Sequence, residues 1–257
     1  MMYKMIFIPV NILNNLFTTF GEYIILMSQM FQSPKEWKDY INLTFDQMMV
    51  IGTNSIPIVI LTSIFSGMVT SVQSAYQFES WTPAWFVGSI VGESILLELA
   101  PVISALVLTG RVGATIAAEI GTMRVTEQID AIESLSFNPV LYLIFPRIAA
   151  GIFMFPILVI IASFFGIFGG WFSATISMDV STYDFFKGFK TWFHPFDAFL
   201  GIIKSIFFGF TITSIACFQG YNAKGGAQGV GEAATVTVVA SCVMIVVLDY
   251  IISALLL

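Results

Sequence analysis

Two stretches of this sequence, 47–78 and 148–178, contain no Asp, Glu, Lys or Arg. Each exceeds the ~20 apolar residues that cross ~30 Å of hydrocarbon as a helix. Lipid offers no hydrogen bonds to the backbone, so such runs must satisfy their own N–H and C=O groups as helices. Three further stretches reach spanning length while carrying isolated charges: Pro83 to about Gly110, Phe196 to about Gln219, and about Ala233 to Leu256. The expectation is an all-α integral membrane protein with five spans, forming one membrane domain over residues 1–257. Composition agrees, because 57% hydrophobic and only 10% charged residues would leave large apolar patches in water. A net charge of −6 argues against nucleic acid as a partner. Cys217 and Cys242 both fall inside expected spans, and with no CxxC and a single histidine neither a disulfide framework nor a metal site is expected.

Basic residues set the threading. Lys4, Lys35 and Lys38 precede the first span, Arg111, Arg124 and Arg147 lie between the second and third, and Lys224 lies between the fourth and fifth. The opposite loops hold only Lys187 and Lys190. By the positive-inside rule the N-terminus and the 111–147 connection are cytoplasmic, and the C-terminus is outside. Before the bundle of 46–257, residues 1–33 read as an amphipathic helix. Val10, Leu13, Phe17, Phe20, Ile24, Met27 and Phe31 recur at spacings of three and four, with asparagines on other faces. This helix either lies along the cytoplasmic membrane face or packs on the bundle.

Pro101, in the middle of span two, removes a backbone hydrogen bond and opens or bends the helix there. Glu98 lies one turn before it. An ionisable group at membrane depth costs about 2.5–3.5 kcal/mol on insertion scales, which makes a polar cavity or an ion pair its default setting. Lys204 is the only basic residue well inside a span, so Glu98 and Lys204 are expected to line one cavity between spans two and four. Asp249, in the last span, needs a partner across a helix interface or an aqueous gap. In span one, Ser63, Gly67, Thr70 and Ser74 form a small, mildly polar stripe suited to close helix contact or to lining a path.

After span two, the glycines around Gly110-Arg111-Val112-Gly113 predict a break in a helix otherwise far longer than a bilayer requires, with Arg111 and Glu119 anchoring the turn to each other or to headgroups. Thr126 is expected to cap a short helix whose apolar ridge is Ile129, Ile132 and Leu135 and whose other side carries Glu127, Asp130 and Glu133; Asn138-Pro139 ends it. Such a helix is either a docking element or an ordinary solvated loop helix. The Gly225–Gly231 stretch lacks the Lys and Ser/Thr of a phosphate loop and reads as a flexible connection.

Glu98-Leu99-Ala100-Pro101, Gly110-Arg111-Val112-Gly113, Ala118-Glu119-Ile120-Gly121-Thr122-Met123-Arg124 and Thr126-Glu127-Gln128 occur in one order. From about Asp46 to the C-terminus, this pattern resembles the permease subunits of the MlaE family, the membrane half of ABC lipid transporters that work with MCE proteins. The resemblance implies a homodimer of five-span subunits in the inner membrane, each with an N-terminal interfacial helix. It implies a separate cytoplasmic P-loop ATPase docked on a coupling helix, here Val125 to about Ser136, through Glu127, Gln128, Ile129, Ile132 and Leu135. An MCE-domain protein would sit on the periplasmic side. The phospholipid pocket would hold Glu98, Lys204 and Asp249, with Leu97 and Leu99 near the acyl chains and Thr70 and Ser74 alongside. Pro101, Gly110, Arg111, Gly113 and Glu119 would form the structural hinge. No cofactor is expected on this chain and it is not an enzyme, since ATP is used by the partner. Some relatives carry arginine where this chain has Leu97, which makes Lys204 the more interesting partner of Glu98. The rival readings are a secondary transporter or channel for an amphipathic substrate, and an intramembrane enzyme; no clear internal repeat and no His, Ser or Asp cluster favours either.

Overall fold

The computed structural model describes residues 17–30, 40–77, 82–177 and 179–257. Five helices are long and apolar enough to cross a membrane: Ile41–Gln77, Trp85–Val125, Val140–Ser177, Pro195–Tyr221 and Gly226–Leu256, spans one to five. There is no strand among the described residues, and the protein is an all-α multi-pass membrane protein. Span one begins before its uncharged run and tightens into a 3₁₀ turn at Thr53–Ser55.

Span two departs from the sequence expectation. It does not break at Gly110–Gly121 but continues for 41 residues to Val125, about 60 Å at 1.5 Å per residue and roughly twice the hydrocarbon thickness. Two π-helical turns, Ile95–Leu99 and Thr109–Gly113, absorb the irregularity while the helix runs on. Glycine permits a break without imposing one. At Gly113 its role is contact, since a Cβ there would lie 3.3 Å from Ile212 and 3.4 Å from Thr237. The connection between spans four and five is short, running from Asn222 to Gly225. Gly225 and Gly226 both adopt positive φ, and a Cβ on Gly229 would fall 1.7 Å from the Lys224 carbonyl oxygen.

Spans one and three meet through small residues. A Cβ on Gly67 would fall 1.9 Å from the Gly166 carbonyl oxygen, and one on Gly169 would fall 2.3 Å from that of Ile64. Ser63 and Ser74 are buried in the same stripe, and the hydroxyls of Thr70 and Ser74 donate to the carbonyls of Ser66 and Thr70 in their own helix. The stripe is therefore a close helix contact. Gly67→Ala should force the two helices apart and cost about 1–3 kcal/mol, read as a lower thermal midpoint in detergent.

Residues 17–29 form a helix packed on span four. The Tyr23 hydroxyl donates to Ser214 Oγ at 2.8 Å and its ring meets Phe218 edge-on. Burial raises the Tyr23 pKa, the Ser214 hydrogen bond opposes this, and nearby Cys217 adds to it, so the hydroxyl stays a donor. Of the expected apolar stripe, only Met27 among the described residues docks on the bundle. Met27 is buried with Leu26, whereas Phe17, Phe20 and Ile24 are exposed. Several faces of this helix are apolar, and the hydroxyl partner on span four selects the one that docks. Val10, Leu13 and Phe31 lie outside the described residues.

A helix absent from the sequence reading, Thr182–Trp192, lies between spans three and four. Ser181 caps it by accepting from the Asp184 N–H at 3.0 Å. Gly188 abuts the Trp85 carbonyl and Gly88 abuts that of Phe185, which seats this helix on the start of span two. Its cap, Ser181-x-x-Asp184, was the legible signal.

Candidate functional site

Spans two, four and five converge on one charged cluster. Pro101 has no N–H to give the Leu97 carbonyl four residues back, and the helix opens into the π turn at Ile95–Leu99. Span four comes close here because Gly201 has no side chain: a Cβ would lie 2.6 Å from the Leu96 carbonyl oxygen. One turn further on, Lys204 reaches into the opened turn. Its Nζ donates at 3.0 Å to the Leu97 carbonyl and at 2.6 Å to Glu98 Oε1. Asp249 Oδ1 from span five lies 2.8 Å from the same ammonium, as an ion pair that is not aligned as a hydrogen bond. Ser253, one turn after Asp249, donates at 3.4 Å to Glu98 Oε1.

The ammonium thus faces three oxygens and hydrogen-bonds to two of them, the third being the Asp249 carboxylate held as an ion pair. Exposure grades across the cluster: the Lys204 side chain is fully buried, that of Asp249 is 21% exposed and that of Glu98 is 43% exposed. One cation serves two carboxylates, and Glu98 is the member that opens outward. Such a group can hold a polar moiety at membrane depth while its surroundings stay apolar.

The other expected site residues divide. Leu97 supplies its carbonyl to the cluster. Leu99 turns away from it and lines a small gap with Ser63, Ser66, Ile103 and Gly166. Sequence reasoning paired Glu98 with Lys204 and left Asp249 without a partner. It missed Ser253 and the Leu97 carbonyl, although the i, i+4 spacing of Asp249 and Ser253 and the four-residue offset of Leu97 from Pro101 carried both.

At the other end of span two Arg111 and Glu119 do not pair with each other. Arg111 donates to Ser55 Oγ, and Glu119 pairs with Arg147 at 3.2 Å. The foot of spans two and three carries a cleft of about 650 Å³ lined by Glu119, Thr122, Met123, Gln128 and Arg147. The short helix is Gln128–Ser134, and Thr126 does not cap it: its hydroxyl donates back to Thr122 O, while Glu127 makes the turn with φ of 59°. The expected ridge is split, since Ile129 is buried in the core, Ile132 is half-buried against it and only Leu135 is exposed. Phe137, which the ridge pattern missed, is exposed beside it.

Five long apolar helices, three of which share a charged cluster that opens outward at Glu98, with a short helix following the long second span, define an all-α multi-pass membrane protein. Residues 44–255 match the family described as Permease MlaE. A Rickettsia felis protein named "Probable ABC transporter permease protein" is 40% identical over 216 residues, 84% of this chain and 83% of the relative. A Synechocystis sp. protein named as a probable ABC transporter permease is 38% identical over 82% of this chain and 80% of its own length. A Haemophilus influenzae protein named "Intermembrane phospholipid transport system permease protein MlaE" is 34% identical over 82% of each chain. The chain belongs to the MlaE permease family and is an ABC-type permease.

Proposed function

We propose that this permease moves phospholipid between the inner membrane and an MCE-domain protein on the periplasmic side, driven by a separate P-loop ATPase. It works as a homodimer with its N-terminus cytoplasmic and its C-terminus periplasmic. Glu98, Lys204 and Asp249, with Ser253 and the Leu97 backbone, receive the polar headgroup, and apolar helix surface accepts the chains. Leu99, Thr70 and Ser74 serve the packing that holds this site. The π turns before Pro101 and at Gly110, Arg111 and Gly113 let the second span flex, and Glu119 ties that span to Arg147. The ATPase docks at Gln128–Ser134, contacting Glu127, Gln128, Ile132 and Leu135, while Ile129 anchors that helix from within.

The observation that carries this reading is the half-exposed Glu98 at the mouth of an ion cluster built on the fully buried Lys204 in an apolar bundle. It suits a substrate with one polar end and long apolar chains, whereas an ion or sugar path would need more polar lining. The name of the Haemophilus relative supports the same substrate class. Purification in mild detergent from native membranes, followed by mass spectrometry, should recover a P-loop ATPase and bound phospholipid. Recovery of the folded protein with neither would contradict the proposal.

A further inference from the structure

Three helices that carry the charged cluster are clamped together at their cytoplasmic ends. A Cβ on Gly220 of span four would lie 2.8 Å from the Ala117 carbonyl oxygen of span two, and one on Gly121 would lie 3.3 Å from Ala223 and 3.5 Å from Val230 of span five. Arg124 joins the short helix to this clamp. Its Nη1 donates to Asp130 at 2.7 Å, and its guanidinium sits over the Tyr221 ring at 5.6 Å from the centroid. Tyr221 is the last residue of span four, and Lys204 lies seventeen residues back along the same helix, about 25 Å at 1.5 Å per residue. Asp130 and Arg124 are 55% and 36% exposed. An ion pair this exposed contributes little rigidity alone, and the stacked ring supplies the second hold.

We propose that Arg124 is a positioning residue that latches the short helix, through Asp130, to Tyr221 at the end of span four, so that movement of that helix is delivered to Lys204. The inference rests on the reading that an ATPase docks on Gln128–Ser134. Span two already joins that helix by chain continuity and carries Glu98. The Arg124–Tyr221 contact gives the cation of the cluster its own line to the same helix, so both partners move with it.

The test measures lipid moved per ATP hydrolysed, using the permease–ATPase complex in vesicles of phosphatidylethanolamine and phosphatidylglycerol with fluorescent phosphatidylglycerol as the cargo. Tyr221→Leu should lower the ratio about tenfold with the ATPase still bound, while Tyr221→Phe, which keeps the ring, should stay within about twofold. Arg124→Gln should fall like Tyr221→Leu, and it serves as the readout if the leucine variant fails to assemble. The swap of Arg124→Glu with Asp130→Arg re-forms an ion pair but leaves no cation over the ring, so it should remain uncoupled. An unchanged ratio in Arg124→Gln, or full recovery in the swap, would overturn the latch. Absence of ATPase from the unaltered complex would instead overturn the docking reading on which it rests.

Discussion

Lys204→Met should destabilise the protein by about 3–5 kcal/mol, because removing one partner of a buried ion cluster leaves the others uncompensated. The effect falls on two residues at once, since Glu98 and Asp249 share the single ammonium at 2.6 and 2.8 Å. The Leu97 carbonyl, already without its helical donor ahead of Pro101, loses a partner as well. Glu98→Gln with Lys204→Met, the pair suggested by sequence, recovers only part of the loss because Asp249 remains unpaired. The triple variant with Asp249→Asn should recover most of the stability and none of the transport, because the charges proposed to receive the headgroup are gone. Detergent thermal unfolding and lipid transfer, measured across the singles, double and triple, form a coupling cycle. Additive losses through the whole series would show that the three charges act independently.

Leu135→Asp combined with Phe137→Asp should abolish co-purification of the ATPase while leaving the permease folded, since both side chains are more than half exposed, at 69% and 56%. Ile129→Asp should behave in the opposite way. That side chain is fully buried in the core, and a carboxylate there would cost the fold itself through an unpaired buried charge. Size-exclusion profiles separate the outcomes: a lost permease peak for Ile129→Asp, and an intact permease without ATPase for the surface pair. An intact permease–ATPase complex in the surface pair would remove the docking assignment from this helix.

The bundle was legible because its signal is composition over long windows. Two uncharged runs and three apolar stretches with isolated charges give the number of spans, and a backbone without water leaves them no alternative form. Glu98 and Lys204 were legible as partners for a related reason, Lys204 being the one basic residue well inside an expected span, with a strong penalty on leaving it unpaired. Asp249 was harder, since its partner depends on how span five is rotated against span four, and that is set by close contacts such as Gly113 with Ile212 and Thr237. Local rules failed where tertiary contact selects among permitted conformations. Gly110 and Gly113 allowed a break, yet the helix keeps its hydrogen bonds through a π turn. Thr126 looked like a cap, yet its hydroxyl bonds back into span two and Glu127 turns the chain. Arg111 meets Ser55 and Glu119 meets Arg147 rather than each other, and these partners, 56 and 28 residues away, are brought close only by the packing of the spans. The helix Thr182–Trp192 leaves no signal at spanning length, being 11 residues long and too short to cross a bilayer.

Passage of phospholipid along the Glu98–Lys204–Asp249 cluster is tested by placing a photo-crosslinking amino acid at Leu97, beside the cluster, and in parallel at Phe65 and Phe168, whose side chains are exposed on spans one and three. The permease–ATPase complex is illuminated with and without ATP, and captured lipid is identified by mass spectrometry. Phospholipid should be captured at Leu97 in an ATP-dependent amount, and at Phe65 and Phe168 in amounts that ATP does not change. Capture at Phe65 and Phe168 with none at Leu97, or capture at Leu97 indifferent to ATP, would contradict the account.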